Sequence, residues 1–228
     1  MKLSIIIPVL NEANTIRETL FSLQALRREG HQLLVVDGGS EDDTVAYASP
    51  LCDELLSGTK GRANQMNLGA QKARHDVFLF LHADTQLPEN AVANIQSGLQ
   101  SSSKVWGRFD VRLSGSHFMF RVIEKMMNWR SCLTAVATGD QAIFVKRDVF
   151  EQISGFEPLP LMEDIALSKS LRKKTRPVCI HETVTTSSRR WEAFGIWKTI
   201  FLMWRLRLAY FLGTSPEKLS HRYRFGNK

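Results

Sequence analysis

Short apolar runs alternate with stretches of helical period through the first half of the chain. Leu3–Val9 is followed by a helical pattern from Glu12 to Arg28, with Ile16, Leu20, Leu23 and Leu26 on one stripe and Gly30 as its stop. Leu33–Val36 is a second run and leads into Asp37-Gly38-Gly39-Ser40. Asp42-Asp43-Thr44 opens a helix through Ala48, Leu55-Leu56 is a short strand, and Gly61–Ala73 is helical. Val77-Phe78-Leu79-Phe80-Leu81 then runs straight into His82-Ala83-Asp84-Thr85. Unbroken apolar runs of this kind read as strands covered on both faces. Their alternation with helices predicts an α/β protein with βαβ units, a mostly parallel sheet and right-handed crossovers.

The second half is less regular. Residues 105–113 place Val105, Gly107, Phe109, Val111 and Leu113 on one face and Trp106, Arg108, Asp110 and Arg112 on the other, the pattern of a half-exposed strand. A helix over His117–Asn128, a strand over Gln141–Val145, a helix over Arg147–Ile153 stopped by Gly155, and a helix from Leu161 to Leu171 follow. Phe194–Leu212 is apolar but carries Lys198, Arg205 and Arg207, which makes it a poor transmembrane span. At helical spacing Trp197, Ile200, Phe201, Trp204, Leu208 and Phe211 form one stripe. Such a helix can pack on the main domain, pair with a second copy, or lie at a membrane interface.

Composition sharpens this picture in two places. The 228 residues suit one domain with an appendage, and the 43% apolar content is enough for a core. The net charge of +7 lies entirely in the last forty residues, where nine basic residues face two acidic ones; Lys/Arg and Asp/Glu balance over residues 1–188. A basic, aromatic-rich tail of this kind suits an anionic partner such as lipid or a phosphorylated molecule. No nucleic-acid motif accompanies it, so a nucleic-acid partner is not expected. Cys52, Cys132 and Cys179 are odd in number and widely spaced, which reads as reduced thiols and gives no zinc pattern. Leu3–Val9 is too short for a leader and is interrupted by Pro8. The expectation is a cytoplasmic protein, with peripheral contact on the inner face of the membrane as a further option for the tail.

The candidate chemistry sits at the ends of the runs. A carboxylate such as Asp84, just beyond a buried strand, stands where open α/β sheets bind ligands. Its competing role is to cap the helix expected near Pro88-Glu89. Asp37 can read a base or ribose, or simply form the turn at Gly38-Gly39. Gly61-Arg62 at a helix N-terminus offers amides, a dipole and a guanidinium to an anion, against the alternative of a merely solvated arginine. Asn67 and Gly69 fall on the same helix, which must pack closely. Glu163-Asp164 could cap a helix, and Gly139-Asp140 could be an ordinary turn.

Taken in order, these motifs resemble the family 2 glycosyltransferases with the GT-A fold. The resemblance rests on Ser4–Glu12, the Val36-Asp37-Gly38-Gly39-Ser40 segment, Gly61–Gly69, His82–Asp84, Gly139-Asp140, Glu163-Asp164 and Arg189-Arg190-Trp191. It implies a GT-A domain over residues 1–190 and a helical extension over 191–228. It implies an inverting transfer from a nucleotide-diphosphate sugar, UDP-linked in the usual case, to an acceptor hydroxyl. Pro8, Asn11 and Glu12 would line the first nucleotide-contact loop. Asp37 and Gly38 would meet the nucleoside, and Arg62 and Asn67 would steady the sugar-nucleotide. Ala83 and Asp84 match the end of the family's Asp-x-Asp motif, so Asp84 would hold Mg²⁺ or Mn²⁺. Asp164 would be the catalytic base, with Gly139, Asp140 and Glu163 on the acceptor side.

One departure qualifies the match: His82 stands where the first carboxylate of that motif is usual, and His181 is the candidate late metal ligand. The acceptor is left open, with lipid-linked or phosphorylated compounds suited to the tail. Two other readings compete. A nucleotidyltransferase would need a Gly-rich basic loop after the first strand, where this chain has Val9-Leu10-Asn11-Glu12. A non-catalytic membrane-surface protein would rest on the tail alone.

Overall fold

The computed structural model describes residues 1–225. The elements run β1 (Ser4–Val9), α1 (Ile16–Ser22), α2 (Gln24–Arg28), β2 (Gln32–Asp37), α3 (Thr44–Ala48), β3 (Glu54–Ser57), α4 (Arg62–Lys72), β4 (Val77–Phe80), β5 (Thr85–Gln86) and α5 (Ala91–Gln100). Then come β6 (Trp106–Leu113), α6 (Phe118–Thr134), β7 (Phe144–Lys146), α7 (Arg147–Gln152), α8 (Glu163–Leu171), β8 (Val178–Thr186), α9 (Arg189–Phe194), α10 (Ile196–Phe211) and α11 (Pro216–Phe225). Among the described residues the strands form one eight-stranded sheet in the order β3-β2-β1-β4-β7-β6-β8-β5.

The apolar runs became the buried strands that their lack of alternation predicts. Every residue of β1, β2 and β4 is buried, with one core layer on each face of the sheet. These three strands are mutually parallel, with Ile6 paired to both Leu34 and Phe80. Pro8 is tolerated in a central strand for a positional reason. Alternate residues of a strand turn their backbone groups to the same neighbour, so Pro8 faces β4 as Ile6 does. The β4 ladder stops at Ile6, and Pro8 has no N–H to leave unpaired there. Helix α4 lies close on β1, because a Cβ on Gly69 would meet Ile6 Cγ2 at 2.5 Å.

Strand directions gather the site at one edge of the sheet. β7 runs antiparallel to β4 and β6, so residues just before β7 lie beside the carboxyl end of β4. β8 runs parallel to β6, so its own carboxyl end points the same way. Its last residue, Thr186, pairs with Thr85, one position after Asp84.

Several sequence expectations need correction. The helix expected from Glu12 to Arg28 starts at Ile16 and is broken at Leu23 into α1 and α2. Residues 139–141 form a 3₁₀ turn, and the strand expected there begins only at Phe144. β6 is half-exposed only in its second half, where Asp110 is partly buried and Arg112 exposed; Trp106 and Arg108 are as buried as Phe109, because α6 and the loop at Thr175 cover them. β8 was not anticipated, and it explains the cysteines. It brings Cys179 beside α6, where Cys132 and Cys179 are joined in a disulfide with Cα atoms 6.0 Å apart; Cys52 is free and buried. The reading of three reduced thiols is therefore wrong for two of them.

The C-terminal helices fold back onto the domain. Leu206 and Leu219 pack with Leu161, Met162 and Ile165 at the start of α8, and Ile196 and Ile200 pack with Phe120 and Ile123 of α6. Residues 226–228, which carry the end of the expected extension including Lys228, lie outside the described residues. Among the described residues no helix is long and apolar enough to cross a membrane.

Candidate active site

The loop after β1 is held by the loop after β2. Asn11 adopts a left-handed backbone, φ 56°, which asparagine tolerates better than most residues. Its N–H donates to Ser40 Oγ at 2.9 Å, and its side-chain oxygen accepts from Glu41 N–H at 2.8 Å. Glu12 N–H donates to Thr44 Oγ1 at 2.7 Å. Asp37 braces the other side: its carboxylate accepts from Gly39 N–H at 2.9 Å, and from Ser40 N–H at 3.1 Å and Oγ at 2.5 Å. The turn-forming role of Asp37 is thus present in full.

Gln65 of α4, which pattern reading missed, is buried between these loops. Its amide donates to Val9 O at 2.8 Å and Val36 O at 2.7 Å, clamping the ends of β1 and β2. Gly38 has to be small beside it, since a Cβ there would meet the Gln65 amide at 3.1 Å. The available signal was a polar residue on the inward stripe of a helix that otherwise buries Ala63, Met66 and Ala70.

Asp84 caps no helix; the residue before α5 is Asn90. Instead, Asp84 meets Arg189, which lies just past β8. The Arg189 guanidinium is 3.1 Å from Glu12 and 3.5 Å from Asp84, so it links residues 177 and 105 positions apart. Burial, reinforced by the charges of Asp140 and Glu12, pushes the Asp84 carboxyl above its ordinary range, while His82 and Arg189 oppose this. Ala83 is buried, and its carbonyl accepts from Thr19 Oγ1 at 2.7 Å, which fixes the loop onto α1.

His82 Nδ1 lies 3.2 Å from Asp140 Oδ1. Burial alone would lower the pKa of His82, but the Asp140 hydrogen bond and charge hold it above the ordinary value. Asp140 is correspondingly held low, by His82 and by the charges of Arg62 and Arg207, against its own burial. Gly139 is required by contact rather than by backbone conformation: a Cβ there would fall 2.4 Å from His82 Nε2. Gly139→Ala should therefore displace the imidazole from Asp140. The expected cost is about 1–3 kcal/mol of stability, which denaturant unfolding checks.

Asp164 sits in the first turn of α8, after Met162 in a left-handed backbone of φ 68°. Its two carboxylate oxygens accept from Gly139 N–H at 2.9 Å and Ile165 N–H at 2.7 Å. It lines a small cavity with His82, Gly139, Phe156 and Glu163. Arg62 opens α4 after Gly61, where no side chain caps the helix. Its Nε pairs with Glu163 at 2.9 Å. Burial would lower the pKa of Arg62, but Glu163 and Asp164 hold it above the ordinary value. Burial raises Glu163 despite the opposing Arg62.

Most sequence-derived candidates thus converge, and two do not. Asn67 is spent on the fold: its amide donates to Phe156 O at 2.8 Å and accepts from Phe156 N–H at 2.9 Å. His181 pairs with Asp110 at 3.1 Å and is 80% exposed at the side chain. It precedes Thr186 by five positions on β8, about 16 Å along a strand, so the structure does not bring it to Asp84.

The residues near Asp84 suit a divalent cation only in part. Among the described residues no group of three or more His, Cys, Asp or Glu could hold a metal. Hard oxygen donors are nonetheless crowded there, and Mg²⁺ is usually bound by one or two carboxylates with phosphate oxygens supplying the rest.

Comparison with known proteins supports the resemblance. The model of the family described as "Glycosyl transferase family 2" matches residues 4–154, more than half of the chain. A dolichol-phosphate mannosyltransferase from Pyrococcus furiosus is 27% identical over 166 residues, which cover 68% of this chain and 45% of that protein. A poly-beta-1,6-N-acetyl-D-glucosamine synthase from Staphylococcus aureus is 30% identical over 87 residues, 36% of this chain and 21% of that protein. The chain therefore spans less than half the length of these curated relatives. The mannosyltransferase PcManGT from Pyrobaculum calidifontis, solved with GDP-Man and Mn²⁺, has a TM-score of 0.68 at 18% identity, covering 99% of this chain and 70% of that one. S. aureus TarS 1–349 with UDP-GlcNAc gives 0.64 at 15% identity, covering 82% of this chain and 58% of that one. These neighbours share the GT-A fold of this chain. The Glu163-Asp164 pair and Arg189 lie beyond the matched stretch, so their place in the site comes from the fold itself. With its first strands, its glycine turns and Asp84 all inside that stretch, the chain belongs to glycosyl transferase family 2.

Proposed function

We propose that the chain transfers a sugar from a nucleotide-diphosphate donor to an acceptor hydroxyl, with inversion at the anomeric carbon. The observation that carries this reading is the meeting of Glu12, Asp84 and Arg189 at the sheet edge that also holds Asp164. Arg189 and the uncapped N-terminus of α4 supply positive ends for a diphosphate. Asp84 would hold Mg²⁺ or Mn²⁺, which when bound neutralises the charge of the leaving diphosphate. The neighbours solved with UDP-GlcNAc and with GDP-Man and Mn²⁺ support a donor of this class. A uridine donor is the first to test and a guanosine donor the second.

Across the site, Asp164 takes the proton of the attacking hydroxyl. Its two backbone donors hold it in a fixed orientation, and the His82–Asp140 pair stands beside it. Arg62, through its pair with Glu163, joins the donor side to α8. Pro8, Asn11, Glu12, Asp37 and Gly38 form the nucleoside wall, with Asp37 acting through the turn it braces. The GT-A unit ends near residue 190 and the remaining helices act as an extension against it.

Calorimetry with a panel of nucleotide sugars, with and without Mn²⁺, tests the donor reading. Binding of a uridine- or guanosine-diphosphate sugar that strengthens with Mn²⁺ is expected. Failure of every nucleotide sugar to bind the folded protein would remove it.

A further inference from the structure

Helices α6 and α10 share an apolar cluster, with Phe120, Ile123 and Met127 from one and Ile196 and Ile200 from the other. Each presents an apolar stripe outward. On α6 it is Phe118, Val122, Met126, Trp129 and Leu133, with Trp129 70% exposed. On α10 it is Trp197, Phe201, Trp204, Leu208 and Phe211, with Phe211 81% exposed. At 100° per residue the five positions of α10 fall within about 80° of arc. The stripes are about 21 Å long, shorter than a hydrocarbon core of about 30 Å. Exposed apolar surface on this scale marks an interaction site.

Charge selects the occupant. Lys198 and Arg205 flank the α10 stripe on one side, and Lys125 lies within the α6 stripe; all three are exposed. No acidic residue stands among the stripe positions. A second copy of this chain would bring the same positive rim against this one. An anionic lipid surface complements it: tryptophan and phenylalanine sit at the headgroup boundary while lysine and arginine meet the phosphates.

We propose that the α6–α10 face docks this protein on an anionic phospholipid bilayer, lying in the interface and not crossing it. On its inner side α10 packs Leu206 against Leu161, Met162 and Ile165, which fixes this face to the start of α8. This inference stands on the surface alone and does not depend on the donor reading.

The test is flotation of the full chain with phosphatidylcholine vesicles, alone or mixed with phosphatidylglycerol. Binding to the mixed vesicles, weakened by salt, with a blue shift of tryptophan fluorescence, is expected. The Lys198→Gln, Arg205→Gln double variant should bind roughly 20- to 30-fold more weakly, at about fivefold per charge removed. Trp129→Glu with Trp204→Glu should abolish binding, with circular dichroism checking that both variants fold. No flotation of the wild type with anionic vesicles overturns the proposal. So does flotation that the variants leave unchanged. A dimer in sedimentation velocity that the Trp129→Glu, Trp204→Glu variant dissociates would assign the face to a second copy and also overturns it. Calorimetry of nucleotide sugars on the same variants reports the donor site separately.

Discussion

Asp164→Asn should lower the rate of sugar transfer by roughly 10²–10⁴-fold, the range a positioned general base contributes. Donor affinity should hardly change, because Asp164 touches Gly139 and its own helix and not the Glu12–Asp84–Arg189 group. The substitution is nearly isosteric but has a local cost. Two N–H donors point at the two oxygens of Asp164, and the new amide nitrogen can accept from neither. One bond is lost, for about 1 kcal/mol, so the variant should fold and melt slightly earlier. Transfer kinetics at saturating acceptor, with calorimetric donor binding on the same preparation, make the comparison. Full transfer activity with unchanged donor binding would remove Asp164 as the base.

Asp84→Ala should abolish the Mn²⁺-dependent part of donor binding, on the order of 10²–10³-fold for a loss of several kcal/mol. Stability should move the other way or not at all. Asp84 is crowded by Asp140 and Glu12, and burial disfavours its charge, so removing it relieves repulsion in the metal-free protein. A higher or unchanged melting temperature with lost metal response is the signature of a site kept for function. Asp84 also contacts Arg189, so a second variant separates the two roles. Arg189→Gln should weaken donor binding while leaving its Mn²⁺ dependence in place. If Arg189→Gln instead removes the metal response and Asp84→Ala does not, Asp84 serves only to position the guanidinium.

Much of the proposed donor side was legible before any fold was known, because it is local. Asp37 ends one buried strand, Asp84 lies in the loop just past another, and Gly61-Arg62 opens a helix. Strand ends and helix starts leave their marks within a few residues. The misreadings have one source: contacts between segments far apart in the chain. Asn67 looked like a ligand residue because its partner, the Phe156 backbone, is 89 positions away. Cys132 and Cys179 looked unpaired because β8 gives no alternating signal, with a register irregularity between Phe109 and Asp110 of its partner strand. His181 looked well placed by spacing, but β8 carries it away from Asp84 and delivers Arg189 instead.

The amino-acid sequence by itself determined the strands of the parallel half, the turns that follow them, and the carboxylates those turns present. The reason is that burial on both faces demands continuous apolar runs, and sharp turns demand glycine and aspartate. Tertiary structure alone decided which of those carboxylates share a site. The sheet order sets β7 beside β4 and brings the end of β8 back to β5, so Gly139 reaches His82 and Arg189 reaches Asp84. That convergence depends on strand pairings between distant segments, whose register no local pattern encodes.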